Sequence, residues 1–523
     1  MNIVVVGYGM VGSRFVEELC AITSPESQTL HITVLGAEHC DPYNRVLLSE
    51  VVAGAYDVAA ITMPTIRDPR VHIRQGVTAT RINRDQRTVT DSNGNHHPYD
   101  ALVLATGATA RIPTLPGITH TPPGTGEPGD TPPEPSLIPG VHVLRTIDDA
   151  REIVAATLNA PAAIVLGGGV LGIEVAVGLA GRGLAVDLVH PRALMNAQLD
   201  APASAVATTM LNRRGITVRT GTAATAATTH PTGRITGLQL ADNTTITAPL
   251  LIITAGTTPN TTLAHTANLP TDHGILVTNN LNTTTDPHIY AIGDCAQPPE
   301  GCTGLIAPGW DQARHLAATL HHHTTINTPT PRHDPHDIVT VKGAGIDIVT
   351  MGISGTRQPP PCDTHPRRTI QLSDPDAGRH LSIIIENGRL IGATCIGAGP
   401  IAADLTTTYT NHTPLPRDPA QLLLRPLGPA ATTTTDSPVR IPDRATICRC
   451  NGVTKGDLIS AWNSGARSTA DFAQRTRATT GCGGCTEAVC GIADWLRASA
   501  SQDTPGEGEA AAQGQRKEAT VSV

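Results

Sequence analysis

Aromatic residues are scarce in this chain: two Phe, three Trp and six Tyr among 523 residues. Its cores must therefore be built from Val, Ile, Leu and Ala, with Thr filling many strand positions. No basic tract appears and the net charge is −8, which argues against nucleic acid as a partner. Long hydrophobic runs are missing too. The longest, 160–173, is closed by Glu174, whereas a membrane span needs roughly 20 apolar residues. No basic leader precedes Ile3, so a signal peptide is not expected and a cytoplasmic protein is. In that compartment the eleven cysteines are expected as thiols, and close clusters of them as metal sites. The first 150 residues hold only Cys20 and Cys40, which form neither a C-x-x-C nor a C-x4-C pair. A dithiol mechanism is thereby disfavoured; Cys20 reads as a packing residue and Cys40 as a loop thiol.

Glycine, by contrast, is concentrated at two informative places. Gly7-Tyr8-Gly9-Met10-Val11-Gly12 follows the apolar run 3–6, and Gly167-Gly168-Gly169-Val170-Leu171-Gly172 follows 162–166. Each reads G-x-G-x-x-G at a strand-to-helix turn. The first glycine makes the turn, the second admits a pyrophosphate, and the third lets helix and strand approach. The helix N-terminus then faces the phosphate charge. One copy is a weak signal. Two copies, each with downstream support, point to two nucleotides held by one chain, and so to electron transfer between them.

A second strand is expected over 31–35, with Glu38 just beyond it. A carboxylate there accepts hydrogen bonds from an adenosine ribose, or is simply a solvated loop residue. The run 102–107, L-V-L-A-T-G, reads as a strand closing in a turn, and 286–294 as a strand ending in Gly293-Asp294. A helix is expected from about 310 to 322. Residues 113–139 are rich in Pro, Gly and Thr and read as a surface insertion. The His321-His322-His323 run falls at the expected helix end and reads as solvated.

Near the other end stand Cys448-x-Cys450 and Cys482-x-x-Cys485. Four thiolates in paired spacing can close around one zinc or the two irons of a [2Fe–2S] cluster. Glycines beside the second pair leave room for backbone N–H groups to reach the sulfurs, which would tune a cluster's potential. Cys490 reads as packing in a following helix.

In this order the pieces resemble the two-dinucleotide-binding-domain flavoproteins. Within them the chain is similar to the FAD- and cluster-bearing half of the assimilatory NAD(P)H nitrite reductase large subunit, and equally to nitrate reductase electron-transfer subunits. The residues carrying this are V-G-Y-G-M-V-G-S-R-F at 6–15, Y-N-R-V-L-L-S at 43–49, A-T-G at 105–107, L-G-G-G-V-L-G-I-E at 166–174, Y-A-I-G-D at 290–294, C-R-C at 448–450 and T-G-C-G-G-C at 480–485.

The resemblance implies an α/β fold. Two Rossmann-like units, for FAD (1–115 and 255–330) and NAD(P) (140–254), would precede a small α+β domain (331–414). A linker (415–445), a small helical [2Fe–2S] domain of the bacterioferritin-associated-ferredoxin type (446–497) and a disordered tail (498–523) would follow. It also assigns site residues. Gly7, Gly9, Met10, Val11 and Gly12 would hold the FAD pyrophosphate, Glu38 its ribose, and Arg45 would lie near the isoalloxazine. Thr106, Gly107, Gly293 and Asp294 would complete the flavin site, Gly293-Asp294 being alternatively a helix cap. Gly167, Gly169 and Gly172 would hold NAD(P)H, and Gly256 would be a further cofactor-binding residue. Glu174 would lie near the nicotinamide, or be merely a first-turn helix carboxylate. Cys448, Cys450, Cys482 and Cys485 would carry the cluster.

Flavin links a two-electron donor to a one-electron cluster, which gives these parts a reason to share a chain. Only Cys490 follows the quartet, too few thiols for a sirohaem–[4Fe–4S] module. The expected acceptor is therefore a separate nitrite or nitrate reductase catalytic subunit, and the reading leaves room for a homodimer. A general NAD(P)H:ferredoxin or rubredoxin reductase with a fused cluster domain is the enzymatic alternative. A non-catalytic redox sensor or iron-storage docking protein is the alternative of another class. Choice between NADH and NADPH stays open, because the second unit's ribose position carries His190-Pro191-Arg192.

Overall fold

The computed structural model describes residues 1–24, 30–120, 136–322, 337–343, 345–355, 367–424, 438–448, 451–481 and 484–502. The chain forms two compact units, Met1–Pro426 and Leu427–Val523.

The first unit opens with a parallel sheet. Its strand order is Asp286–Ala291, Ala101–Leu104, Asn2–Val6, His31–Gly36, Val71–Gln75, with Asn282–Thr283 added antiparallel at one edge. Asn2–Val6 is buried from Ile3 onward and Ala101–Leu104 throughout. Continuous burial rather than alternation is what a parallel strand covered on both faces requires. Helix Met10–Ile22 packs on one face beside helix Ile306–His322. Trp310, fully buried, fixes that pairing: its Nε1 donates to Met10 O at 3.3 Å. The observed helix begins four residues before the expected one, because 306–309 continue the same coil.

A second parallel sheet, ordered Val141–Val143, Leu251–Ile253, Ala162–Leu166, Ala185–His190, Ile216–Thr220, builds the 140–254 unit. Strands Ala108–Ala110 and Thr257–Pro259 pair antiparallel where the chain crosses between the two sheets. The ends of the expected 113–139 insertion form a short hairpin, Thr119–His120 with Ser136–Leu137. Its central residues lie outside the described ones.

The small domain is a five-stranded antiparallel sheet from Val339–Val341 to Arg389–Ile396, covered on one face by helix Gly399–Thr410. The expected linker is shorter than its Pro- and Thr-rich composition suggests. Leu415, Leu422 and Leu423 pack on this domain's core, and Leu423 is only 2% exposed. At the other end, Lys455 Nζ donates to Ile441 O at 2.8 Å and pairs with Asp443, so 441–445 belong to the second unit. Apolar side chains and one buried ammonium overrode the composition.

The second unit pairs Thr446–Cys448 with Val453–Thr454 and adds helices Lys455–Asn463, Thr469–Thr476 and Thr486–Gln502. Two of these helices start with complete capping boxes, Thr454/Asp457 and Ser468/Asp471. The last helix runs five residues past the expected domain end at 497. No described helix is long and apolar enough to cross a membrane.

Candidate cofactor sites

The three glycines of the first fingerprint play three distinct physical parts. Gly7 has φ +114°, and a Cβ there would run into the Ala105 carbonyl. A Cβ on Gly12 would overlap the Gly7 carbonyl. Gly9 is different: a Cβ would meet only Arg45 Nε, at 4.0 Å, so this glycine leaves space in front of the turn. Helix Met10–Ile22 starts at Gly9 with no side-chain cap, so its first N–H groups face that space. The second fingerprint repeats the design. Gly167 (φ +131°) abuts the Thr254 carbonyl, Gly172 abuts Gly167, and Gly169 has nothing within 4 Å. Helix Val170–Gly181 is likewise uncapped. Both turns thus fit a dinucleotide pyrophosphate. Gly12→Ala is expected to cost about 1–3 kcal/mol through this overlap. It should lower both the melting temperature and the FAD bound per chain; unchanged values in thermal unfolding and flavin release would contradict it.

Around the first turn the structure gathers residues far apart in sequence. Glu38 accepts from Tyr43 OH at 2.8 Å and pairs with Arg45, so it is not a free loop carboxylate. Arg45 also donates to Arg145 O at 3.0 Å. Arg45 therefore stands at the Glu38 and Gly9 end of the site. Arg145 Nη2 donates to Asp294 Oδ2 at 2.6 Å. Asp294 caps no α-helix: it lies in a short 3-10 turn, Gly293–Cys295, preceded by Ile292. Gly293 N donates to Gln312 Oε1 at 2.7 Å. Thr106 and Gly107 are held by Asn260, whose Nδ2 donates to Thr106 O at 2.8 Å and whose N donates to Gly107 O at 2.9 Å. Gly256 (φ +100°) accepts from Arg111 N at 2.9 Å at the other end of the same crossing ladder. Met10 is buried, and Val11 Cγ2 stands 3.2 Å from where a Cβ on Gly293 would be.

Glu174 is no first-turn dipole carboxylate. It is the fifth residue of its helix and 6% exposed. Ser49 Oγ donates to Oε2 at 2.6 Å and Lys342 N to Oε1 at 2.9 Å, while Lys342 Nζ donates to Val46 O at 3.0 Å. Burial pushes the Glu174 carboxyl up; the Lys342 charge and the Ser49 hydroxyl oppose this. One carboxylate thus ties together the second fingerprint helix, the Y-N-R-V-L-L-S segment and the small domain.

Sequence reasoning missed Arg145, Asn260, Gln312 and Lys342, none of which lies in a recognisable motif. Ser49 ends a quoted motif and could have been assigned. Cys20 lies on the first helix and Cys40 is exposed, both free thiols, and burial raises both above the usual thiol range. His321 lies in the last turn of its helix near Thr23 Oγ1, and His323 lies outside the described residues.

In the second unit Cys448 is fully buried and Cys485 nearly so, in one small core. Thr479 N donates to Cys485 Sγ at 3.3 Å, and Asn451 Nδ2 reaches Cys448 Sγ at 3.6 Å. The same Nδ2 donates to Arg477 O at 2.7 Å, joining the two cysteine-bearing loops. Arg477 and Thr479 both have positive φ (63° and 71°), which aims the Thr479 N–H at sulfur. N–H donors to thiolate sulfur suit an iron–sulfur cluster. Cys450 and Cys482 lie outside the described residues. Cys490 lies on the last helix, 3.8 Å from Thr469 Oγ1, as expected of packing.

Two Rossmann-type sheets with pyrophosphate turns, and a separate cysteine domain with N–H donors on sulfur, define a flavoprotein reductase with a tethered iron–sulfur module. Residues 1–317 match the family of pyridine nucleotide-disulphide oxidoreductases, and 446–494 match the BFD-like [2Fe-2S] binding domain. The chain belongs to the pyridine nucleotide-disulphide oxidoreductase family. Its cofactors are FAD, NAD(P)H and a [2Fe–2S] cluster. It is 30% identical to nitrite reductase [NAD(P)H] of Bacillus subtilis, over 92% of this chain and 56% of that one. It is 28% identical to the assimilatory nitrate reductase electron transfer subunit of Bacillus subtilis, over 92% and 58%. The chain thus spans about half the length of these relatives. A ferredoxin reductase from Rhodopseudomonas palustris shares the fold at 23% identity, with a TM-score of 0.63 over 80% of this chain and 99% of that one.

Proposed function

We propose that this chain is the NAD(P)H-oxidising, electron-transfer component of an assimilatory nitrite or nitrate reductase system. It would act in the cytoplasm and deliver electrons to a separate catalytic subunit. One observation carries this: the likeness to nitrite and nitrate reductase components runs through 92% of the chain, and its residues 446–494 match a BFD-like [2Fe-2S] domain.

In this reading the amides at Gly9, Met10 and Val11 bind the FAD pyrophosphate, with Gly7 and Gly12 shaping the turn. Glu38 orients the adenosine ribose. Arg45, held against Glu38 beside Gly9, helps neutralise the phosphate charge. Thr106, Gly107, Gly293 and Asp294 position the flavin end, with Arg145 holding Asp294 in place. Gly167, Gly169 and Gly172 bind the second pyrophosphate, and Gly256 lies beside the crossing ladder that borders this site. Glu174, fixed by Ser49 and Lys342, excludes water beside the nicotinamide. Cys448, Cys450, Cys482 and Cys485 hold the cluster. When bound, FAD supplies the conversion between hydride and single-electron chemistry, and the cluster supplies a one-electron carrier.

The test mixes the purified chain with a nitrite or nitrate reductase catalytic subunit from the same organism. That subunit is first shown to be active with reduced viologen. NAD(P)H-dependent reduction of nitrite or nitrate should appear only in the mixture. A mixture no faster than the catalytic subunit with NAD(P)H alone would count against the proposal. Separately, Asp294→Ala is expected to lower flavin content, since a charge-assisted contact is lost and Arg145 is left unpaired. Flavin released by acid and measured per chain reads this out; full occupancy would remove Asp294 from the site.

A further inference from the structure

We infer that the nicotinamide donor is NADPH, with Arg192 taking its 2′-phosphate. This rests on the second Rossmann unit being the NAD(P)H site. In this fold the adenosine ribose lies at the end of the strand that follows the fingerprint helix. An acid there accepts from the ribose hydroxyls of NADH and repels a 2′-phosphate.

At that strand end this chain carries no acid. The strand Ala185–His190 ends in His190. Between 185 and 200 the only carboxylates are Asp187 and Asp200. Asp187 is taken by Arg219, whose Nε donates to it at 2.7 Å. Asp200 caps the next helix by accepting from Ala203 N at 2.9 Å, and it accepts from Gln371 at 3.1 Å. The segment 185–200 therefore offers NADH no uncommitted carboxylate as hydroxyl acceptor and sets none against a 2′-phosphate.

The segment after the strand is the wall of the fingerprint turn. Met195 N donates to Gly168 O at 2.8 Å. A Cβ on Gly168 would come 2.9 Å from His190 Cβ and 2.7 Å from Leu194 Cδ2. Arg192 stands within this wall and is exposed. Burial first, and the Arg192 charge as well, push the His190 imidazole down, while a hydrogen bond with Asn196 opposes them. The ring Nδ1 is buried with no hydrogen-bond partner among the described residues. An exposed guanidinium in the wall of the fingerprint turn suits a phosphorylated ribose: its planar fork can bind the 2′-phosphate with two parallel hydrogen bonds.

Two measurements test this. Isothermal titration with adenosine 2′,5′-bisphosphate and with 5′-AMP reads the subsite without turnover. The bisphosphate should bind about tenfold tighter or better, and Arg192→Ala should remove most of that margin. In ferricyanide reduction, kcat/KM for NADPH should exceed that for NADH by about tenfold or more, carried mainly in KM. Arg192→Ala should collapse the ratio and Arg192→Lys restore part of it. Equal binding of the two adenosine ligands, or a ratio that Arg192→Ala does not move, overturns the assignment. If the bisphosphate binds selectively but neither dinucleotide supports dye reduction, the specificity stands and the reductase reading falls. If neither ligand binds, both fall.

Discussion

Cys485→Ser should strip the [2Fe–2S] absorption from the purified protein while NAD(P)H-dependent ferricyanide reduction stays within about twofold of the parent. Cys485 belongs to the second compact unit, and the glycine turns that hold both nucleotides belong wholly to the first. Serine keeps the size of the side chain but offers a hard oxygen where iron prefers a thiolate. The Thr479 N–H would still find an acceptor, so the domain's fold should survive, as circular dichroism can show. Iron content, visible absorption and dye turnover on the same sample decide the matter. A parallel loss of dye reduction with FAD still bound would mean that the cluster acts before the flavin, against the order proposed.

Removing the whole second unit should have the larger consequence for the partner. A chain ending at Pro426 keeps the small domain intact, since Leu415, Leu422 and Leu423 are retained on its core. It should bind a full complement of FAD and reduce ferricyanide normally. Electron delivery to the catalytic subunit should drop by about two orders of magnitude or more, because the one-electron carrier is gone. Undiminished delivery by the shortened chain would show that the flavin feeds the partner directly. Placing the cut at 414, as composition alone would advise, should instead destabilise the small domain by baring that core.

The parts of the site that were legible are those dictated by chain geometry. A strand turning into a helix against a phosphate needs glycine at fixed spacing, and the clashes at Gly7, Gly12, Gly167 and Gly172 bear this out. The cluster domain was legible for a similar reason, its closely spaced cysteines falling in the stretch that matches the BFD-like [2Fe-2S] binding domain. Partnerships across the fold were not. Arg145 and Asp294 are 149 residues apart, and Lys342 reaches Glu174 from another domain. Nothing local distinguishes Arg145 from the chain's other arginines until the sheets have assembled. The pairing of Arg45 with Glu38, seven residues back, was not legible in the motif that carries Arg45. The positive φ values at Arg477 and Thr479 were equally hidden, since neither is the glycine that such backbone normally takes.

Asn451 gives the cysteine domain a property that ligand spacing alone would not. Its amide fastens the loop after Cys448 to the Arg477 carbonyl, a latch made entirely of protein atoms. The polypeptide then shares with the iron the entropy of bringing the two loops together. Zinc fingers behave oppositely, collapsing when their metal is withdrawn. Oxidative loss of iron should leave this domain an intact, refillable socket, so that damage in the cell becomes a matter for cluster repair and not for proteolysis.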